Sequence, residues 1–335
     1  DENLYKVCVG DRSFVSTPFT RTHLEPMGRS TRCFVAVDSE TYQKCLLKDT
    51  WRVNVYHSEG EVYQKLQEHQ VPNIPNVLGA GDVPDQRCGY PSAGWTIPRN
   101  ATIRKHIHYR IVLDIVGRPL TKFESTHALV GYVRDAFQAH HVAYTKAEVE
   151  HRDISIGNII IGEKNRVSYG LLIDWELVRF RQDPREHEGA GTQHFMAARL
   201  FADPPPVRTV GDDIESFVLL LLWIVARYTA NTMSPLSRTN FLDLFEKYGT
   251  KITLIQSIPS RIPALCLTTV PFRLFLANVA GIYEARYGGT IYYGADPDEA
   301  KEEAEKLAAQ KLVLESHDWL LAILHQRLQN DDCNH

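Results

Sequence analysis

His151-Arg152-Asp153-Ile154-Ser155-Ile156-Gly157-Asn158 is followed by the apolar run Ile159 to Ile161 and then by Leu171-Leu172-Ile173-Asp174-Trp175-Glu176. Acidic and amide side chains thus stand on separate turns beside short runs that read as buried strands. Asp153 at the start of such a loop can take the proton of an incoming hydroxyl. Asn158 one turn later and Asp174 after the next strand can hold Mg²⁺ against a triphosphate, which is the division of labour phosphoryl transfer needs. Asp and Asn also cap turns with no further role, so the remainder of the chain has to decide between the two readings.

With 335 residues, 44% of them apolar, the chain is long enough for one large or two modest domains with a sizeable core. A net charge of -4 gives no overall bias toward nucleic acid or an anionic membrane, and neither is expected as a partner. Cys8, Cys33, Cys45, Cys88, Cys266 and Cys333 form no CxxC pair, so neither a zinc site nor a disulfide framework is expected. Reduced thiols in a cytoplasmic or nuclear, intracellular protein are the expectation. The longest apolar run, Phe217 to Ala226, is far shorter than the roughly 20 residues of a membrane span and reads as a buried helix. Asn100-Ala101-Thr102 is a single formal sequon.

Outward from the loop, Leu4 to Val9 and Arg12 to Thr17 read as strands, and Phe19 to Val37 as strand, turn, strand around Gly28-Arg29-Ser30. Lys48 closes the apolar run Cys45-Leu46-Leu47. A lysine at the end of a buried strand is costly unless it is paired or bound to phosphate. Lys44 lies in a more polar stretch and is the weaker choice. Val62, Leu66 and His69 repeat at helical spacing after Ser58, with Glu59 and Glu61 in the first turn. Pro84 to Asn100 reads as a loop, Arg110 to Gly117 as a buried strand with its connector, and Phe123 to Ala143 as a helix delivering the chain to His151. The adjacent His140 and His141 point apart on that helix, so chelation is not expected. Further helices are expected over Phe241 to Tyr248, Pro271 to Tyr287 and Asp298 to Leu328.

Taken together, the HRDxxxxN spacing, Gly28-Arg29-Ser30-Thr31, Lys48-Asp49-Thr50-Trp51, Ser58-Glu59-Gly60-Glu61, Ile173-Asp174-Trp175, Gly191-Thr192 to Ala197 and Asp212-Asp213-Ile214-Glu215-Ser216 resemble the eukaryotic protein kinase superfamily, and within it the fungal-type protein kinases. The resemblance implies an α+β, bilobal fold. Residues 1–116 would form a small β-rich lobe with one main helix, and 117–335 a larger, mostly helical lobe. It implies ATP with Mg²⁺ and transfer of phosphate to Ser or Thr of a protein substrate. By position it makes Asp153 the base, with Arg152 and Thr192 beside it, and puts Asn158 and Asp174 on the metal. Lys48 would take the phosphates, held by Glu59, with Glu61 the alternative. Gly28 and Ser30 would cover the nucleotide, the Asp114 to Val116 hinge would meet the adenine, and Asp213 would anchor the loop from below.

Several positions depart from the pattern. Glu176 stands where a glycine is usual and brings an extra carboxylate toward the metal site. Only Gly28 remains of three glycines. Arg199 replaces the glutamate whose ion pair supports the lower lobe. Ser155 and Gly157 leave the acceptor hydroxyl unspecified. A pseudokinase that binds partners, or a kinase-like phosphotransferase acting on a small molecule, are the rival readings. Thr192 is the only side-chain hydroxyl between Asp174 and Phe195, so activation is not expected to need phosphorylation of that segment.

Overall fold

The computed structural model describes residues 4–17, 30–87, 105–182, 191–246, 250–251, 277–279, 286–287, 301, 305, 308–309 and 311–331. Gly28, the Asn100 sequon and most of the helical stretches expected over 271–310 lie outside the described residues.

The fold is α+β. Strands β1 (Tyr5–Val9), β2 (Arg12–Ser16), β3 (Arg32–Asp38), β4 (Lys44–Val53), β5 (Val77–Arg87) and β6 (His106–Leu113) form one antiparallel sheet in the order β1-β2-β3-β4-β6-β5. Alternation along the strands gathers Val7, Val9, Phe14, Ala36, Cys45, Leu47 and Val112 into one buried cluster. Helix α1 (Glu59–Glu68) sends Val62, Tyr63 and Leu66 into a second cluster with Tyr109, Ile111 and Leu113 of β6.

Two sequence expectations fail in this sheet. Lys48 does not end its strand: β4 runs on through Asp49 and Thr50 to Val53. Polar residues continue the strand because the neighbouring β6 supplies partners, His108 and Arg110 both reaching the Asp49 carboxylate at 2.8 Å. Nor does a loop begin at Pro84, since β5 extends to Arg87 with a register shift between Asp82 and Arg87. A bulge of that kind is where a strand tolerates proline.

In the helical region, α2 (Thr126–Thr145) is capped by Ser125, whose Oγ accepts from the Ala128 amide. It packs on a small sheet of β7 (Arg118–Pro119), β9 (Ile159–Lys164) and β10 (Val167–Leu172), while β8 (Val149–Glu150) pairs with β11 (Arg179–Phe180). The contact is backbone on backbone. A Cβ at Gly170 would lie 1.9 Å from the Tyr132 carbonyl oxygen, so only glycine fits there. Helix α3 (Val210–Tyr228) starts at a capping box of Thr209 and Asp212 and is buried nearly all round. The apolar run Phe217 to Ala226 is its centre. Helix α4 (Pro235–Asp243) begins earlier than the expected Phe241, because Ser234 caps it and Pro235 fills its first turn. The last described helix is α5 (Asp318–Asp331). No helix among the described residues is long and apolar enough to cross a membrane.

The β9–β10 hairpin is what positions the chemistry. Leu172 faces Ile159 across it, and the Ile173 amide donates to the Asn158 carbonyl at 2.9 Å. Asn158, just before β9, and Asp174, just after β10, are therefore carried to the same end of the hairpin.

Candidate active site

Lys48 is buried on β4 and its ammonium is surrounded by acids. Nζ donates to Glu59 Oε2 at 2.8 Å and Asp174 Oδ1 at 2.6 Å, with Glu176 Oε2 at 3.5 Å. The three carboxylates offer oxygens that all lie within 4.8 Å of one another. Local chain geometry explains the choice between the two glutamates of α1. Glu61 sits at the third helical position, where its carboxylate accepts from the Ser58 amide at 2.7 Å and closes the capping box. That leaves Glu59, the first helical residue, to face Lys48. Asp174 reaches Lys48 from a left-handed backbone conformation, φ +65°, beside Trp175, whose buried indole donates to the Leu172 carbonyl at 3.1 Å.

One cation cannot neutralise three acids. Burial alone would lower the Lys48 pKa, but Asp174, Glu59 and Glu176 together hold it well above its ordinary value. Burial, with Asp174 and Glu176 adding repulsion, pushes Glu59 up to about 7 despite Lys48. The neighbouring carboxylates act in the same sense on both groups, raising Lys48 against its burial and adding to the burial of Glu59. Asp174 is the exposed member, with 36% of its side chain accessible against 2% for Glu59 and 8% for Glu176. It is the carboxylate an arriving cation would meet first.

Asp153 sits in a neutral frame. Its Oδ1 accepts from both the amide and the hydroxyl of Thr192 at 2.7 Å. Its Oδ2 accepts from Asn158 Nδ2 at 3.1 Å, and the same amide nitrogen donates to the Asp153 carbonyl at 2.7 Å. Two acceptors facing one end of the Asn158 amide fix which end is nitrogen, and leave its oxygen for a cation. A carboxylate from Asp174 and an amide oxygen from Asn158 form a hard-oxygen donor set suited to Mg²⁺, which commonly takes one or two protein ligands and keeps the rest for water and phosphate. His151 is the Nε2–H tautomer, since Nε2 faces the Ile173 carbonyl at 3.1 Å while Nδ1 accepts from the Asp153 amide at 3.3 Å. Burial lowers its pKa, which keeps the ring neutral.

Beneath the loop lies Asp213 on α3. Its Oδ2 accepts from the Arg152 amide at 2.9 Å and faces His140 Nε2 at 3.0 Å, while Oδ1 accepts from Arg208 at 3.0 Å. Arg208 also donates to the Arg152 carbonyl at 2.7 Å. Burial would raise the Asp213 pKa, but Arg208, His140 and the Arg152 amide drive it far below the usual carboxylate range. Arg152 has φ +70° and a buried side chain. This seat holds it by both backbone polar groups.

The remaining expected residues are less tightly drawn in. Ser30 has φ +47°, a region that favours glycine. Asp114 spends its carboxylate and its amide on Asn76, which leaves its carbonyl for a ligand. Val116 is 38% exposed. Arg199 pairs with Asp212 at 2.6 Å, and Arg286 reaches both Asp212 and Glu215. The support expected to be lost at Arg199 is thus supplied by an ion-pair cluster of different membership. Sequence reasoning missed Arg208 and the role of His140. It also missed Val35, 50% exposed on β3 opposite Leu46, an apolar surface on the Lys48 strand pair.

A family model described as "Fungal protein kinase" matches residues 11–225. A search of curated proteins found no match.

Proposed function

Because the chain belongs to the fungal protein kinase family, we propose that it is an active, bilobal protein kinase that passes the γ-phosphate of ATP to a Ser or Thr hydroxyl of a protein substrate. Residues 1–116 and 117–335 are its two lobes. They join at Gly117, where a Cβ would press to 2.6 Å from Ile160.

The observation that carries this reading is the bonding of Asp153. Thr192 saturates Oδ1 with two donors at 2.7 Å, whereas Oδ2 has one longer bond at 3.1 Å. Oδ2 is therefore the atom with capacity to take the proton of the acceptor hydroxyl. Thr192 and Asn158 orient the carboxylate, and Asp213 holds the loop through Arg152. Lys48, kept in place by Glu59, is the cation for the α- and β-phosphate oxygens. Asp174 and Asn158 would hold Mg²⁺, which supplies neutralisation of phosphate charge when bound.

A second reading, a scaffold with little turnover, draws support from Ser30 at a glycine-favouring φ and from the three acids already on Lys48. Transfer of labelled γ-phosphate from Mg-ATP to mixed protein substrates separates the readings. The parent should label proteins on Ser or Thr, and Asp153→Asn and Asp174→Asn should each lose about 10²-fold or more. Parent labelling no greater than that of the variants would sink the kinase reading, and nucleotide binding by the same samples would then divide a scaffold from a small-molecule kinase.

A further inference from the structure

His317 lies just before α5, 177 positions from the residue it touches and outside the stretch that matches the kinase family. Its Nε2 is 2.8 Å from His140 Nδ1, and both rings are buried, His140 fully and His317 to 2% exposure. Phe137 and Tyr144 of α2 pack around the His317 ring at centroid distances of 5.2 and 5.6 Å. On its other side His140 faces Asp213 at 3.0 Å, and Asp213 faces the Arg152 amide. Four groups from distant parts of the chain thus form one buried line ending at the catalytic loop.

A neutral imidazole has one donor and one acceptor. Asp213 is an ionised acceptor, so a neutral His140 must present Nε2–H to it, and its Nδ1 must then accept. His317 has to donate through Nε2–H. Burial above all pushes the His317 pKa down to about 2, which keeps the donor ring uncharged.

We propose that His317 is a positioning residue that holds the His140 ring in the orientation that donates Nε2–H to Asp213 and thereby seats Asp213 under the catalytic loop. Without that donor, His140 Nδ1 loses its partner in a buried place, and the ring can turn away from Asp213 to find another. The seat then loses one of the bonds that align Arg152 and, next to it, Asp153. The effect on turnover rests on the kinase reading above; the orientation of the ring does not.

The test uses the full chain labelled with ¹⁵N-histidine. Long-range ¹H–¹⁵N spectra should show both His140 and His317 as neutral Nε2–H rings in the parent. His317→Leu should shift or broaden the His140 Nε2–H signal as the ring loses its fixed orientation, and His317→Gln, whose amide can still donate, should restore it. In transfer assays His317→Leu should lower kcat about tenfold with KM for ATP unchanged, and His317→Gln should return it to within about twofold, since small misalignments remote from the chemistry are costly. A His140 that is Nδ1–H or doubly protonated in the parent overturns the proposal. So does an unchanged His140 signal, or an unchanged kcat, in His317→Leu. If His317→Leu does not fold, the parent spectrum decides alone. A parent without transfer activity would sink the kinase reading, and the spectra would still judge the lock.

Discussion

The two sides of the site are held by opposite electrostatic means. Around Lys48 three carboxylates converge on one ammonium, an acid-rich cluster in which Asp174 is open to solvent. Around Asp213 one carboxylate meets a guanidinium, an imidazole and a backbone amide, and its acceptor capacity is well used. The first arrangement is unfinished and gains from a further cation. The second is complete, and serves as a fixed floor. The phosphoryl transfer proposed above would use both: a mobile charge balance where metal and phosphate arrive, and a rigid seat for the base.

The comparison is most severely tested at the seat. Asp213→Ala would take from the Arg208 guanidinium, His140 and the Arg152 amide the buried carboxylate that all three share. Loss of one member of a buried charged pair costs about 3–5 kcal/mol, so urea unfolding should register a loss in that range. Because the folded pKa of Asp213 lies below the ordinary 3.8, its contribution is present above that pH and disappears only as pH falls through the depressed value. The gap between parent and variant should therefore stay level from pH 5 to pH 8. A gap that collapses on going from pH 8 to pH 5 would mean that Asp213 is not the ionised centre of the seat.

Lys48→Met should behave differently and cost less, about 3 kcal/mol at pH 8, because Glu59, which it abandons, can protonate. Glu59 is already raised from 4.5 to about 7 in the parent. A carboxyl with a raised folded pKa stabilises below its unfolded value and loses that contribution as pH climbs through the folded one. Lys48 is the cation that holds Glu59 down, so removing it raises Glu59 further. The stability gap should hence be small near pH 4.5 and widen through pH 7 and above, where the Asp213→Ala gap is flat. Parallel curves for the two variants would erase the distinction between the two sides.

How far this contrast was readable from the sequence follows from the range of each interaction. Asp153, Asn158 and Asp174 could be placed because a single hairpin joins them, and the register of β9 with β10 is a local property. Ser58 and Glu61 spell a capping box, which also singles out Glu59 for Lys48. By contrast, β4 continues past Lys48 only because His108 and Arg110 come from β6 to satisfy Asp49, and no pattern within β4 announces them. Arg208 and His140 look like ordinary surface or core residues until α3 brings Asp213 between them. Glu176 was legible as an extra carboxylate, but its place at 3.5 Å from Lys48 depends on the turn after Asp174. Ionic partners chosen across the fold leave no periodic trace, whereas caps, hairpins and apolar stripes do.

The smallest expected effect lies at Thr192, where the neutral frame of Asp153 meets the segment that follows Asp174. Thr192 gives Asp153 two bonds to the same oxygen, one from its amide and one from its hydroxyl, each 2.7 Å long. Thr192→Val keeps the shape and the amide bond and removes only the hydroxyl. A hydrogen bond to a charged group contributes about 1.5–3 kcal/mol when it is the sole partner, and the surviving amide bond should hold the loss near or below the bottom of that range. The expected result is a fall in kcat of about tenfold or less, with KM for ATP unchanged, because Lys48 and its acids do not contact Thr192. Since this hydroxyl donates to Asp153, phosphate placed on it would set a dianion against the base. Active protein should therefore carry no phosphate on Thr192, which intact-mass measurement and phosphopeptide mapping can read directly. Activity that requires phospho-Thr192 would mean that the base is framed by charge after all, and that the two sides of the site are less different than their resting geometry makes them.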